Sequence, residues 1–358
     1  MNAPATAKVN TSVSQSCTVG QLPELIEDAV TAGLVPFIKS SPGVGKSSVV
    51  HQFAKKHNLK VIDHRMSTST PEDLTGLPEF YTNEQGERRS RFVPFGDLFP
   101  LANDPIPEDY DGWVIFLDEF NSAMRETIAA SYKLILDRQV GQYNLHEKVA
   151  IILAGNLMDD KAIVNDIGTA AQSRVIHLNV ETNWEDWVEW GWKNDIDSRV
   201  LSFISEYKNQ VLIDFHPDHS DNTFCCPRTW EFMSHLIKDK DVKLEKMALY
   251  TGTITSSVAR KFVAYTEVFN ELVPIADILQ DPEGCKLMTG SAAFAQMTVI
   301  TENVTEQNFS NLLRYMRRLS APLRVMFIRN CHHRAPNVMR NPDYTTELAA
   351  FAKMARGA

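Results

Sequence analysis

The chain has 358 residues, of which 44% are apolar and 23% charged, and its formal net charge is −9. This length predicts two or three compact units with an ample core, and the negative charge argues against a protein that coats nucleic acid through overall basicity. No apolar run is long enough for a membrane span, and the polar first 16 residues lack the core of a secretion signal. The five scattered cysteines indicate no disulfide framework, so we expect a cytoplasmic, reducing location.

The first elements follow from composition and apolar spacing. Residues 1–16 are rich in Ala, Ser, Thr and Asn, which predicts a disordered tail. Apolar residues at helical spacing predict a first helix that ends near residue 33. The apolar run 34–38 then predicts a short buried strand, and an amphipathic helix follows over about 48–57.

The loop between this strand and this helix has the pattern of a phosphate-binding loop. Gly43 and Gly45 have no side chains, so backbone N–H groups can approach phosphate oxygens at the positive end of the helix. Lys46 supplies a point charge for the outer phosphates, and the Ser47 hydroxyl can ligate magnesium. Ser40 stands where the pattern has its first glycine. The predicted nucleotide-binding residues of the loop are Ser41, Pro42, Gly43, Val44, Gly45, Lys46, Ser47 and Ser48.

A second strand and an insertion follow the phosphate loop. The strand covers 59–63, the segment 71–78 reads as a short capped turn, and 79–93 reads as a hairpin with its tip near 83–86. The hairpin carries a small basic cluster, which we interpret as a solvated face rather than a binding patch: Arg88, Arg89 and Arg91.

An acidic pair follows a continuous apolar run at 113–117. The run 113–117 is typical of a strand buried on both faces of a parallel sheet. Asp118 and Glu119 would emerge at its carboxyl end, where ligands bind in open α/β sheets. Asp118 can hold magnesium, and Glu119 can accept a proton from an attacking water. Such a pair is often only a helix N-terminus, but the phosphate loop upstream favours the functional interpretation.

The pattern then predicts a helix, a turn and another buried strand. We expect Asn121 or Ser122 to cap the helix, residues 139–147 to form a turn or hairpin, and 149–154 to form the strand. Asn156 follows that strand, where its amide can orient an attacking water. The alternative for Asn156 is a loop residue that caps its own backbone.

A short helix over 163–173 leads to Arg174 and the strand 175–178. An arginine at this position is more often a surface or sheet-edge residue. The alternative is that the nucleotide of a neighbouring subunit lies opposite it. Strands alternate with helices up to about residue 180, which predicts βαβ units and a parallel sheet.

From Asn183 onward the pattern is almost wholly helical. Arg228 falls in the first turn of a helix that begins at Pro227, where a cation is unfavourable to the helix dipole, so the side chain should serve another purpose. Near the end of the chain we expect a subunit or partner interface, rather than a nucleic-acid site, at a basic segment. Its arginines are Arg314, Arg317, Arg318, Arg324, Arg329, Arg334 and Arg340.

Separated motifs give the chain a family resemblance. It resembles the MoxR branch of the AAA+ ATPases, especially the bacterial and phage members, over roughly residues 17–270. The stretches that carry the resemblance are Ser41–Ser47, Leu117–Asn121, Ala154–Asn156 and Ala171–Val175. Pro227–Trp230 is similar to the family's lid motif, and 71–76 is similar to the sequence that opens the family's helix-2 insertion.

The resemblance implies an α/β fold. This is an AAA+ P-loop NTPase core, with a parallel sheet flanked by helices, followed by a helical lid and a C-terminal helical region. The corresponding domains are a tail at 1–16, a nucleotide-binding domain at 17–181 with an insertion hairpin near 71–95, a lid at 182–290 and an extension at 291–358.

The resemblance also implies roles and cofactors. Lys46 and Ser47 would bind the phosphates of ATP and a Mg²⁺ ion, and Asp118 and Glu119 would be the metal-and-base pair. Asn156 would be the first sensor.

Two arginines complete the implied site. Arg228 resembles the lid arginine that touches the γ-phosphate of its own subunit, and Arg174 resembles the finger that reaches into the adjacent subunit. Arg125 and Arg138 are rival candidates for the finger. Because an arginine supplied across an interface acts only in the assembled ring, hydrolysis should depend on oligomerisation, and we expect a hexamer.

Three functions are compatible with these residues. The leading hypothesis is a MoxR-like ATPase that remodels a protein client, with a von Willebrand A-type protein as a partner. The alternative is a nucleic-acid motor or loader that resembles the ATPase subunits of restriction systems, and the arginine clusters motivate it. The third is a nucleotide-gated structural module with little turnover, against which Glu119 and Arg174 argue.

Overall fold

The computed structural model of the chain describes residues 15–157, 165–216, 218 and 221–356. The chain separates into two compact units, Met1–Glu181 and Thr182–Ala358. Of the predicted tail, residues 1–14 lie outside the described residues.

The first unit alternates strands and helices. Its strands are β1 Cys17–Thr18, β2 Val35–Lys39, β3 Leu59–Arg65, β4 Leu77–Thr82, β5 Arg88–Val93, β6 Gly112–Asp118, β7 Gln139–Val140, β8 Tyr143–Asn144, β9 Val149–Gly155 and β10 Val175–Glu181. Its described α-helices are α1 Leu22–Thr31, α2 Lys46–Lys56, α3 Pro71–Thr75, α4 Arg125–Asp137 and α5 Gly168–Gln172. Short 3₁₀ turns cover Met66–Thr68 and Phe120–Ser122.

A parallel sheet forms the centre of this unit, which confirms the predicted fold class. In the described part of the chain it has six strands, in the order β1-β10-β2-β9-β6-β3. Every residue of β6 is buried, as expected for an apolar run with helices on both faces.

The two faces of the sheet bury different side chains because successive residues of a strand point to opposite sides. Val114 and Phe116 of β6 lie in a cluster with residues of α1 and α2, including Phe53. Ile115 and Leu117 lie in the opposite cluster, together with residues of α4. Each face therefore fixes one layer of helices on the sheet.

Some predicted boundaries differ from the structure. β3 continues to Arg65 because it pairs with β6 residue by residue, up to Arg65 opposite Asp118. The helix predicted over 163–173 is shorter, Gly168–Gln172, and residues 163 and 164 lie outside the described residues.

The predicted helix cap at Asn121 or Ser122 is wrong. Both residues belong to the 3₁₀ turn, and α4 begins at Arg125 after Met124, without a side-chain cap. The Asn121 amide is instead engaged with residue 156, which is far away in sequence. A tertiary contact has therefore replaced the local one.

The two predicted hairpins are confirmed. β4 and β5 pair antiparallel around a turn at 83–87, and β7 and β8 form a smaller hairpin. All twelve strand residues of the larger hairpin are exposed.

The second unit is helical. Its described α-helices are α6 Trp184–Lys193, α7 Ser198–Tyr207, α8 Asn209–Leu212, α9 Pro227–Ile237, α10 Met247–Thr251, α11 Ser256–Thr266, α12 Ile275–Gln280, α13 Ser291–Glu302, α14 Phe309–Met316, α15 Ala321–Arg334 and α16 Pro342–Arg356. They enclose one hydrophobic cluster between Trp187 and Tyr265 and another between Ile278 and Tyr344. The finer division at residue 290 stays a prediction. Among the described residues, no helix combines the length and the apolar character that crossing a membrane requires.

His64 of β3 gives the first unit a predicted sensitivity to acid. The ring stacks on Phe99 and its Nε2 lies 3.1 Å from the Leu98 carbonyl oxygen. Burial lowers the pKa of His64, although the Leu98 hydrogen bond and nearby aspartates oppose the shift. Because the folded state holds this imidazole neutral, the unfolded state takes up the proton more readily, and stability falls as the pH drops through the ordinary histidine pKa of about 6.5.

We therefore expect His64→Phe to flatten the loss of stability between about pH 7.5 and pH 5.5, measured by urea unfolding at each pH. The exposed His235 provides the control, since His235→Gln should keep the wild-type slope. An unchanged slope in His64→Phe would show that other groups cause the acid sensitivity.

Candidate active site

Three neighbouring strands end at the same edge of the sheet and bring the predicted residues together. β9 lies between β2 and β6, and all three run parallel. Lys46, Asp118 and Asn156 follow or end these strands, at the carboxyl edge where open α/β sheets bind ligands. The predicted convergence of the phosphate loop, the acidic pair and the polar amide is present.

Lys46 lies among oxygen atoms at this edge. Its Nζ donates to Ser40 O at 3.0 Å, Ser40 Oγ at 3.1 Å, Ser41 O at 3.3 Å and Asn156 Oδ1 at 3.3 Å. All four of these acceptors are neutral oxygens, whereas a phosphate would offer the ammonium a negative charge. The contact with Asn156 links the loop to the end of β9.

Ser40 fits the position that the loop pattern gives to glycine. Its backbone is not in the left-handed region, so no glycine is needed there. The side chain is fully buried, and the hydroxyl accepts from Lys46 and donates to Ser41 O at 2.9 Å. The serine thus holds the lysine in place.

The N-terminus of α2 has the features of an anion-binding site. Gly45 precedes the helix with φ +110°, which favours glycine, and among the described residues beyond its chain neighbours no atom lies within 4 Å of a Cβ built there. Within the same part of the chain, no side-chain cap satisfies the first N–H groups of α2. These donors and the positive helix end therefore suit phosphate oxygens.

The magnesium prediction fits the oxygen ligands that the structure brings together. Ser47 Oγ donates to Asp118 Oδ2 at 2.9 Å, although the residues are 71 positions apart. Hydroxyl and carboxylate oxygens are the ligands that Mg²⁺ prefers. Burial, and next the negative charge of Asp118, raise the pKa of Asp63 on the adjacent strand.

Glu119 has an unusual backbone and two side-chain partners that sequence patterns did not indicate. Its φ of 54° and ψ of 33° are left-handed, a conformation that costs a non-glycine residue about 1–3 kcal/mol and is frequent at active sites. Ser67 Oγ donates to Glu119 Oε2, and Arg65 Nε lies 3.9 Å from Oε1. Both partners stabilise the carboxylate. Only the pairing of β3 with β6 places them there, so no local motif could have revealed them.

The arginines predicted to act at the site occupy different positions. Arg174 is exposed and directly precedes β10, whose first residue, Val175, pairs with Val35 at the start of β2. Arg174 therefore lies at the amino edge of the sheet, with the length of β2 between it and its own phosphate loop. Arg228 is exposed in the first turn of α9, in the second unit.

The rival finger candidates differ in exposure. Arg138 donates through Nη2 to Val149 O at 2.6 Å and His146 O at 3.4 Å, and burial lowers its pKa. This guanidinium is occupied within its own domain. Arg125 is exposed at the start of α4.

Comparison with known proteins agrees with this geometry. Residues 37–176 match the family model of the AAA domain, dynein-related subfamily. This part of the chain is similar to the AAA domain. The match indicates an ATP-hydrolysing P-loop ATPase. No curated protein matches the chain.

Solved structures resemble the chain at low similarity. NtrX from Brucella abortus is 15% identical over 72% of this chain, which spans 62% of that protein's chain, with a TM-score of 0.38. The RuvB Holliday junction branch migration motor of Thermotoga maritima is 15% identical over 73% of each chain, with a TM-score of 0.36. A DNA polymerase III gamma subunit-related protein of Thermotoga maritima is 13% identical over 88% of this chain and 83% of its own, with a TM-score of 0.31. All three scores are low, and we infer nothing further from these likenesses.

The Ser47 hydroxyl is predicted to act through the metal. Ser47→Ala should raise the Mg²⁺ concentration required for half-maximal ATP hydrolysis by about tenfold or more, because an oxygen ligand is lost. The measurement is phosphate release during a Mg²⁺ titration. Lys55→Ala, an exposed position on the same helix, is the matched control and should leave the titration unchanged. A wild-type titration for Ser47→Ala would contradict the assignment.

Proposed function

We propose that this ATPase is a MoxR-like AAA+ machine that hydrolyses ATP in an oligomeric, hexameric ring and uses the energy to remodel a protein client. A von Willebrand A-type protein is the proposed partner. Two features at opposite edges of the sheet carry the proposal. Ser47 and Asp118 lie together at the carboxyl edge, and the exposed Arg174 lies at the amino edge.

Within the site, each side chain has a proposed task. The loop Ser41–Ser48 and the Lys46 ammonium bind the phosphates, and Ser47 and Asp118 hold Mg²⁺, which supplies charge stabilisation to the transferring phosphoryl group. Glu119 accepts the proton of the water that attacks the γ-phosphorus, as the bond to the ADP oxygen breaks. Asn156 orients that water.

Arg174 is proposed to complete the site of the next subunit. It stands about 13 Å or more from its own loop, because the five residues of β2 are separated by four steps of about 3.3 Å each. An arginine that stabilises transition-state charge from a neighbouring chain makes hydrolysis depend on assembly. Arg228 would contact the γ-phosphate of its own subunit.

Mixing two inactive variants tests this sharing. Arg174→Ala and Glu119→Gln should each lose at least about 10³-fold in ATP turnover. In a random one-to-one mixture, about one quarter of interfaces join an intact Glu119 to an intact Arg174, so about one quarter of the wild-type rate should return. Phosphate release before and after mixing gives the result.

Arg125→Ala is the control for the mixing experiment. If Arg125→Ala is inactive and complements Glu119→Gln while Arg174→Ala does not, Arg125 is the finger. If no arginine variant is complemented, the shared site is wrong.

The exposed hairpin supports a protein client. Phe80 is 65% exposed and Phe92 is 52% exposed, and the strand register puts both on one face of the β4–β5 ribbon. Leu77 is 50% exposed at the base of the hairpin, on the other face. Exposed apolar side chains that share a face, as Phe80 and Phe92 do, are typical of a protein-binding surface.

The charges of the hairpin favour the same conclusion. Arg91 pairs with Glu79 at 2.7 Å, Arg89 pairs with Glu87 at 2.5 Å, and Arg88 stacks on the Phe80 ring, with Cζ 5.0 Å from the ring centroid. Two of the three guanidinium groups are thus neutralised by carboxylates of the hairpin itself. Phosphate binding needs cations that are available to the phosphates.

The basic segment near the end of the chain is also neutralised to a large extent within its own unit. Glu347, which is buried, lies 2.9 Å from both Arg317 and Arg324. Arg314 pairs with Glu283 and Arg329 with Glu185, while Arg318 donates to the Pro282 carbonyl. These contacts engage the arginines within the second unit. The arginines therefore give less support to the alternative of a nucleic-acid motor or loader.

A trapping experiment tests the client. The Glu119→Gln variant, loaded with ATP, should retain its client, and Phe80→Ser in that background should release it by removing the exposed ring. Tyr110→Ser, which alters an exposed aromatic residue outside the hairpin, is the control and should retain the client. Mass spectrometry of the copurified proteins identifies the client and shows whether a von Willebrand A-type protein is present.

The nucleic-acid alternative makes the opposite prediction. ATP turnover that is stimulated by DNA and falls steeply with salt, together with no protein retained by the trap, would replace the remodelling function with that of a motor or loader.

A further inference from the structure

Asn121, two residues after Glu119, makes an unusual two-point contact with the end of β9. Its Nδ2 donates to Asn156 O at 2.8 Å, and its Oδ1 accepts from Asn156 N at 3.0 Å. The residue is only 3% exposed. One side-chain amide therefore satisfies both backbone hydrogen-bonding groups of residue 156.

The contact extends the sheet beyond the last backbone pairing. β6 and β9 pair up to Leu117 opposite Leu153, after which β6 turns away at the left-handed Glu119. Residue 156 has consequently lost its strand neighbour. The amide of Asn121 has the same donor and acceptor as a peptide group, so it takes the place of that neighbour.

Gly155 is adapted to this amide. A Cβ atom built on Gly155 would lie 2.2 Å from Asn121 Oδ1 and 2.8 Å from its Cγ, a separation that forces one of the groups to move. The backbone of Gly155 has no positive φ that would itself require glycine. The close approach of Asn121, together with Phe37 Cε2 at 3.0 Å from the same Cβ position, is the physical reason for a glycine here.

The turn that contains Asn121 also forms hydrogen bonds with Asn165. Asn165 N donates to Asn121 O at 2.6 Å, and Asn165 Nδ2 donates to Ala123 O at 2.7 Å. Asn156 in turn accepts from Lys46 through Oδ1 at 3.3 Å. The turn that begins at Glu119 is therefore connected through hydrogen bonds to Asn156 and, through Asn156, to the phosphate loop.

We propose that Asn121 is a positioning residue for ATP hydrolysis, which fixes the backbone of Asn156 relative to Glu119 so that the proton acceptor and the water-orienting amide form one rigid unit. The inference rests on the proposed role of Asn156. Because Asn121 contacts neither the phosphate loop nor Lys46 in the hydrogen bonds described above, its loss should affect turnover far more than nucleotide binding.

The test is a kinetic and binding comparison of four variants: Asn121→Ala, Gly155→Ala, the double variant and Asn156→Ala. Asn121→Ala should lower kcat about 10- to 100-fold, since two buried hydrogen bonds are lost, while KM and the Kd of a fluorescent ATP analogue change by less than about threefold. Asn270→Ala, which removes an exposed amide in the second unit, is the control and should match the wild type.

The double variant provides the sharper readout. Gly155→Ala alone should lower kcat because its Cβ displaces Asn121, but in the Asn121→Ala background the same change should have little further effect. Full additivity of the two losses would contradict the proposed contact.

Two other outcomes would overturn the inference in distinguishable ways. A wild-type kcat for Asn121→Ala with an inactive Asn156→Ala would leave the role of Asn156 standing and remove that of Asn121. A wild-type kcat for Asn156→Ala would remove both. A parallel loss of kcat, nucleotide affinity and thermal stability in Asn121→Ala would make the residue a structural one only.

Discussion

The parallel pairing of β9 with both β2 and β6 is the constraint on which the site depends. β9 is buried along almost its whole length, so a shift in its register would bring its side chains against the wrong neighbours in the packed layers on both faces of the sheet. With this register fixed, the phosphate loop, Asp118 and Asn156 must end at one edge. The chemistry is thus positioned by strands whose own residues are apolar.

The sequence predicted those parts of the site whose functional residues directly follow a recognisable local pattern. The apolar runs at 113–117 and 149–154 predicted buried strands, the first of them buried on both faces, and both are present, each longer by one or two residues. Because the polar residues directly follow these runs, their arrival at one edge was predictable from the parallel topology alone. The glycine-rich loop was equally clear, and Ser40 works there because its backbone does not need glycine.

Sequence reasoning failed where a polar side chain has a distant partner. Asn121 has the composition of a helix cap, but its partner lies 35 residues away, so local preference gave the wrong answer. Ser67 is 52 residues from Glu119 and carries no motif. Arg138 looked like an available cation until its guanidinium was found on two carbonyl groups. The contacts of Asn121 and Ser67 depend on the tertiary pairing of strands, whereas the carbonyl groups that Arg138 meets are only 8 and 11 residues away.

The strained backbone of Glu119 shows why these distant contacts matter. A left-handed glutamate costs about 1–3 kcal/mol. The next residue, Phe120, is fully buried against Phe37 with ring centroids 5.7 Å apart, and burial of such a ring contributes about 1.5–3 kcal/mol. The two terms are of similar size, so hydrophobic burial at Phe120 offsets the strain at Glu119. Burial alone fixes where the turn lies, but it does not orient the turn toward β9. The directional bonds of Asn121 supply that orientation, which is why a buried amide is more useful here than another apolar side chain.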